Sequence, residues 1–226
     1  MEFKLVSQSS ATVRALPLKQ AIIAGWTGRD TEAMEHHIQE LEALGIPRPA
    51  STPMYYQVAA ARLTQAPSIE VSGPDSSGEV EFMLVRIDGA FWIGIGSDHT
   101  DRKLETVGVA ISKQLCDKPI GAVLWPLDEV LPHWDKLILR AYIEEGGRRV
   151  LYQEGPVTTM KDPLELVAGF EAQGGTLTEG SVMFCGTLAA KGGIRPAGRF
   201  EFELEDPVLQ RKIEHAYGII ELPIAG

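Results

Sequence analysis

The chain has 226 residues, room for one large domain, and 44% of them are hydrophobic against 23% charged, the balance of a globular protein with a sizeable core. Its formal net charge is -10, which argues against nucleic acid or an anionic membrane as partner and suits carboxylates gathered around a cation. Two cysteines, Cys116 and Cys185, give no disulfide framework and read as free buried thiols. The opening MEFKLVSQSS lacks a basic segment followed by an apolar run, and no stretch approaches a membrane span, so the expected location is cytoplasmic.

In chain order, MEFKLV and LPLKQAIIAGW read as short strands, the second ending in the turn GWTGRD. DTEAMEHHIQELEALGIP is a helix: Asp30 or Thr31 caps it, Met34, Ile38, Leu41 and Leu44 make its apolar stripe, Gly45 ends it and Pro47 stops it. PRPASTPMYYQV reads as an extended loop, SIEVSG as a strand and GPDSSG as a turn. EVEFMLVRIDGAFWIGIGSDHTD is a hairpin turning at Asp88-Gly89. RKLETVGVAISKQL reads as one helix, and HWDKLILRAYIEEGGRRVLYQEGPV as two strands around EEGGR. DPLELVAGFEAQGG is a helix with a glycine stop, GSVMFCGTL a buried strand and GRFEFELED an alternating strand. Many strands with a few interspersed helices indicate an α+β fold. His99, His133 and His215 show no ligand spacing and read as structural, and the four tryptophans read most simply as core, with Trp26 placed to line a pocket.

Glu79-Val-Glu81 puts two like charges on one face of a strand that otherwise wants burial. Spacing alone does not separate it from RFEFELED, where Glu201, Glu203 and Glu205 share what reads as a solvated face. The context does: an antiparallel hairpin returns Asp98 to the neighbourhood of Glu79 and Glu81. Three carboxylates together at low dielectric call for a cation, and an all-oxygen site suits Mg²⁺ or Mn²⁺, with Ca²⁺ also admitted, rather than Zn²⁺. The alternative is a wet, acidic strand end.

The order of these pieces resembles the fumarylacetoacetate hydrolase superfamily. Its Glu-x-Glu strand is matched by Glu79-Val-Glu81, its following aspartate by Asp98 in SDHTDR, and its lysine before Pro-x-Gly by Lys113 in SKQLCDKPIG. Arg102 aligns with the family arginine, Gly186 and Thr187 in EGSVMFCGTL align with its late Gly-Thr, and His37-Ile-Gln-Glu40 matches its His-x-x-Glu. The likeness runs from about Ile22 to Phe202. The chain departs from the pattern in a short Glu81–Asp98 interval, in lacking the family's Asn-Tyr, and in Glu105 and Leu188 where a glutamine and a proline are usual. Those departures suggest a divergent bacterial branch.

The resemblance implies a single catalytic domain over residues 1–226, a mixed β-roll or sandwich of the fumarylacetoacetase C-terminal type with a few peripheral helices. Residues 1–50 would carry N-terminal strands and the dyad helix, packed on a β-roll from residues 51–226. Glu79, Glu81 and Asp98 would be the metal ligands. His37, oriented by Glu40, would be the general base, with His36 as a rival at i,i+4. Lys113 would stabilise an oxyanion, Arg102 would grip a substrate carboxylate, and Thr187 and Gly186 would hold a carboxylate end. The implied activity is divalent-metal-dependent hydrolysis of a C–C bond in a small β-dicarbonyl or acylpyruvate-like acid through a metal-bound enolate. Decarboxylation, hydration or isomerisation of a 2-oxo acid on the same site is the alternative outcome, and a non-catalytic metal-binding or scaffold protein is the alternative of another class. The family is usually homodimeric, and its partner is a small carboxylic acid.

Overall fold

The hairpin at the centre of the chain sets the architecture. Val80–Ile87 and Ala90–Ser97 pair antiparallel from Val80↔Ser97 to Ile87↔Ala90. Asp88 and Gly89 close the turn with φ of 50° and 77°, the doubly positive geometry that matches strand twist. The computed structural model describes residues 1–43 and 48–225, with the side chains at positions 33, 37, 40, 41 and 43 outside that description.

Among the described residues, the larger sheet has eight strands in the spatial order Ala11–Ala15, Glu2–Val6, Val123–Pro126, Ala90–Ser97, Val80–Ile87, Ser181–Thr187, Gln20–Gly25 and Met54–Val58. The smaller has five, Arg148–Pro156, Ile138–Glu145, Arg199–Asp206, Arg211–Leu222 and Ser68–Ser72. Both mix parallel and antiparallel pairs, and a few short helices are interspersed among the strands, an α+β fold. The central hairpin is buried on both faces. Val80, Phe82 and Leu84 pack towards Leu139, Ala141, Phe200 and Phe202 of the smaller sheet. Met83, Val85 and Ile87 join Phe3, Leu5, Ile23, Leu124 and Phe184 in a second core. Two covered faces explain why this strand reads as an almost unbroken apolar run, and Glu81 lies in phase with the second core.

Several elements differ from the sequence reading. Met54–Val58, read as an extended loop, is an edge strand paired with Gln20–Gly25. Ala11–Ala15 is a further edge strand, wholly exposed and without an inward stripe to announce it. The helix expected over RKLETVGVAISKQL is two pieces, Arg102–Glu105 and Val109–Leu115, because the chain becomes extended at Gly108. On Arg199–Asp206 the three glutamates do share a face, but Glu203 is only 5% exposed, held by Arg140 and Lys212, so that face is an ion-pair lattice rather than a solvated edge.

Helix Thr31–Ala43 forms where expected, while the stop expected at Gly45 and Pro47 lies outside the described residues. Pro163–Ala172 begins with Asp162 accepting from the Leu164 and Glu165 amides, and proline takes its first position. Cys116 and Cys185 are buried and free. No helix among the described residues is long and apolar enough to cross a membrane.

Candidate active site

The end of the hairpin opposite its turn gathers the charge. Asp98 N donates to Glu79 O at 3.0 Å, just beyond the last strand pair. Ligand atoms of Glu79, Glu81 and Asp98 thereby come within 4.8 Å of one another. Asp98 is fully buried, Glu81 is 2% exposed and the Glu79 side chain is partly open. Burial, reinforced by Asp98 and Glu79, pushes the Glu81 carboxyl well above the usual carboxylate range. Burial also acts against an ionised Asp98, but the Lys113 and Lys118 ammonium groups outweigh it and hold that carboxyl below its ordinary value.

Lys113 bonds directly to Asp98 Oδ2 and lies 3.9 Å from Glu79. Burial disfavours its charge, yet those two carboxylates win and keep it a firm cation. Lys118 is fully buried, with Nζ 3.1 Å from Asp98 Oδ1 and donating to His99 O at 2.6 Å. Arg102 contacts Glu79 at 3.1 Å, donates to Glu105 at 3.0 Å and to Ser77 Oγ at 2.7 Å.

These residues fit a divalent cation. The donor set is all oxygen. Glu81 remains short of compensating positive charge, and Asp98 Oδ1 is buried with the Lys118 ammonium beside it but no hydrogen bond.

A cavity of about 480 Å³ opens onto Glu79, Glu81 and Lys113. One wall is the segment from Ile23 to Gly28 with Met34, and another is Gly186 and Thr187. The second wall depends on a bulge. Between the pairs Phe184↔Met83 and Thr187↔Glu81, strand Ser181–Thr187 has one residue more than its partner. The bulge turns the Gly186 N–H onto Glu81 Oε2 at 2.6 Å. Gly186 has φ +99°, and a Cβ there would lie 1.8 Å from Thr27 Oγ1, so only glycine fits. Trp26 lines the cavity with φ 58°, a rare conformation for a bulky residue.

The sequence matches, over residues 24–217, the family described as protein of unknown function DUF2848. The chain belongs to that family. A search of curated proteins finds no match. Solved structures do match. Cg1458 with inhibitor has TM-score 0.68 and 16% identity, over 95% of this chain and 81% of that one. A protein from Oleispira antarctica, provisionally titled a fumarylacetoacetate isomerase/hydrolase, has TM-score 0.66 and 17% identity, over 96% and 99%. A 2-keto-3-deoxy-D-arabinonate dehydratase complexed with magnesium and 2,5-dioxopentanoate has TM-score 0.66 and 13% identity, over 94% and 77%. At such identities the likeness shows the fold. This DUF2848 member has the fold of fumarylacetoacetate hydrolase-like proteins.

In the DUF2848 chain, Glu79, Glu81, Asp98 and Lys113 thus come together, with Gly186 and Thr187 across the cavity. Arg102 stands behind Glu79, bound to two carboxylates of its own chain. Helix Thr31–Ala43 borders the cavity through Met34, while the His37 and Glu40 side chains lie outside the described residues. His36 is exposed.

Three contributors carry no spacing signal. Lys118 looks in sequence like any surface lysine. Gln153, from the smaller sheet, accepts from Val80 N at 3.0 Å and donates to Thr187 Oγ1 at 2.9 Å. Tyr217 hydrogen-bonds both Ser97 Oγ and His99 Nδ1 at 2.9 Å, and the other ring nitrogen of His99 meets Ser76 Oγ. Burial chiefly, with Lys118 and Arg102, drives His99 down to about 3, so it is a neutral structural group. His133 likewise pairs with buried Asp206 far along the chain, and Trp125 and Trp134 are core.

Proposed function

We propose that the protein is a divalent-metal-dependent enzyme acting on a small 2-oxo or β-dicarbonyl acid. The observation that carries this reading is the convergence of Glu79, Glu81, Asp98 and Lys113 at one end of a cavity of the size that small ligands occupy. Glu79, Glu81 and Asp98 would hold Mg²⁺ or Mn²⁺. When bound, the cation supplies Lewis acidity to the oxygens of a chelating substrate. A neighbour of the same fold, a 2-keto-3-deoxy-D-arabinonate dehydratase, is complexed with magnesium and 2,5-dioxopentanoate, itself a 2-oxo acid.

The chain's own groups do the rest. Lys113, kept charged by Asp98 and Glu79, faces the negative charge that develops on a substrate oxygen. The Gly186 N–H holds Glu81 in place. His37 stands three residues beyond Met34 on helix Thr31–Ala43. There it would take a proton from water, with Glu40 orienting its ring. In this reading the outcome is hydrolysis of a C–C bond. The dehydratase neighbour favours a second outcome, lyase or isomerase chemistry without an activated water. The protein is further taken to be a cytoplasmic homodimer.

The test is turnover of acylpyruvates, oxaloacetate and related 2-oxo acids with Mg²⁺ or Mn²⁺, in wild type, Glu81→Gln and His37→Ala. Hydrolysis requires loss of turnover in both variants. Unchanged turnover in His37→Ala assigns the lyase or isomerase outcome, and metal-independent turnover refutes the proposal.

A further inference from the structure

Thr187, which lines the cavity, belongs to a closed hydrogen-bond ring with the buried residues Val80 and Gln153, and every proton of that ring is assigned. The Val80 N–H can only donate, and it meets Gln153 Oε1 at 3.0 Å. That contact fixes which way the Gln153 amide points. Its Nε2 therefore donates to Thr187 Oγ1 at 2.9 Å and to Leu188 O at 2.5 Å, which uses both amide protons. Thr187 Oγ1 in turn lies 2.8 Å from Val80 O, which can only accept, so the one hydroxyl proton is committed there. Gln153 is 2% exposed, leaving water little access to compete for these bonds. What Thr187 keeps for a cavity occupant is a lone pair. A hydroxyl in that state repels a carboxylate, the group that the sequence resemblance assigns to it.

The charge around the cavity points the same way. Its described walls include Asp30, Glu79, Glu81 and Glu105, with Lys113 as their cationic side chain. Lys113 already faces Asp98 and Glu79, and Arg102 is bound to Glu79 and Glu105. The cation and Lys113 are the positive charges a substrate carboxylate could meet there, and the described walls show no second cationic side chain for another.

We infer that Thr187 is a specificity-determining acceptor: the substrate is a monocarboxylic 2-oxo acid whose distal part carries a hydroxyl that donates to Thr187 Oγ1. This deepens the proposed function and rests on it. The test is displacement calorimetry on the Mn²⁺-loaded protein with four five-carbon acids: 2-oxopentanoate, its 4-hydroxy and 5-hydroxy derivatives, and 2-oxoglutarate. At least one hydroxy acid is expected to bind about 2- to 10-fold tighter than 2-oxopentanoate, the gain of one net hydrogen bond, with 2-oxoglutarate weakest. Thr187→Ser should keep the hydroxyl preference and Thr187→Val should lose it; the wild-type ranking stands even where the valine variant misfolds. If 2-oxopentanoate binds but neither hydroxy acid gains, or 2-oxoglutarate binds as tightly as the better of them, the inference is overturned and the proposed function survives. If none of the four binds, the inference is overturned, and turnover of acylpyruvates and oxaloacetate decides the proposed function separately.

Discussion

Gly186→Ala should be among the most damaging single-atom additions in the chain. The new Cβ would lie 1.8 Å from Thr27 Oγ1, 3.0 Å from Thr27 Cβ and 3.1 Å from Met160 Cγ, on backbone with φ +99°. Overpacking of this kind costs about 1–3 kcal/mol, and a non-glycine residue at such a φ about 1–3 kcal/mol more. Relief by moving the bulge would draw the Gly186 N–H away from Glu81 Oε2, a hydrogen bond contributing about 0.5–1.5 kcal/mol. Because relaxation trades one loss against another, the net is about 3–5 kcal/mol. At about 2–4 °C per kcal/mol for a chain of this size, the melting temperature should fall by about 6–20 °C. Scanning calorimetry at neutral pH measures that fall, and Mn²⁺ titration of the folded variant should show weakened binding. A melting temperature within about 2 °C of wild type, with Mn²⁺ affinity unchanged, would refute the argument that the bulge glycine holds Glu81.

Two further substitutions probe the buried charges. Asp206 is buried and accepts from Val208 N, Leu209 N and Arg211 Nε at 3.1, 3.0 and 3.1 Å, with His133 at 3.0 Å. Burial raises its pKa, but those partners outweigh burial and depress it. Its stabilisation is therefore present above the unfolded value of about 3.9 and is lost as pH falls through the lower folded value. Asp206→Asn should cost about 2–3 kcal/mol at pH 7 in urea unfolding, with the gap to wild type closing in acid; a gap independent of pH would show that ionisation is not what stabilises. Lys118→Met should cost about 3–5 kcal/mol, because Asp98 stays buried with one partner fewer. Mn²⁺ should then raise the melting temperature of that variant more than that of wild type. Equal shifts would mean that the Lys118 ammonium and the cation do not share Asp98.

The parts of the site that were legible in the sequence are those whose geometry follows from one short-range rule. Strand alternation puts Glu79 and Glu81 on one side, and a two-residue turn at Asp88-Gly89 returns Asp98 beside them. The resemblance added Lys113, which a sequence alone cannot tell from an exposed helix lysine. The unread parts depend on contacts between distant segments. Gln153 reaches Thr187 and Val80 only because the smaller sheet packs on the larger. Lys118 is buried by the approach of Asp98 and His99, not by anything in its neighbours. Glu203 looked wet because alternation reports a face and not its partners; Arg140 and Lys212 come from neighbouring strands. The edge strand Met54–Val58 was hidden by prolines upstream, which occupy the approach rather than the ladder.

The most direct test of the central claim is calorimetric titration of Mn²⁺ into wild type and Glu81→Gln, with melting temperatures recorded alongside. The substitution removes a poorly compensated buried charge and keeps an acceptor for the Gly186 N–H, so without metal the variant should be at least as stable as wild type. Wild type should bind one cation per chain and gain about 2.7 kcal/mol at a hundredfold excess over Kd, while Glu81→Gln should bind far more weakly and gain almost nothing. No saturable binding to wild type, or equal binding to both proteins, would contradict a metal centre built on Glu79, Glu81 and Asp98.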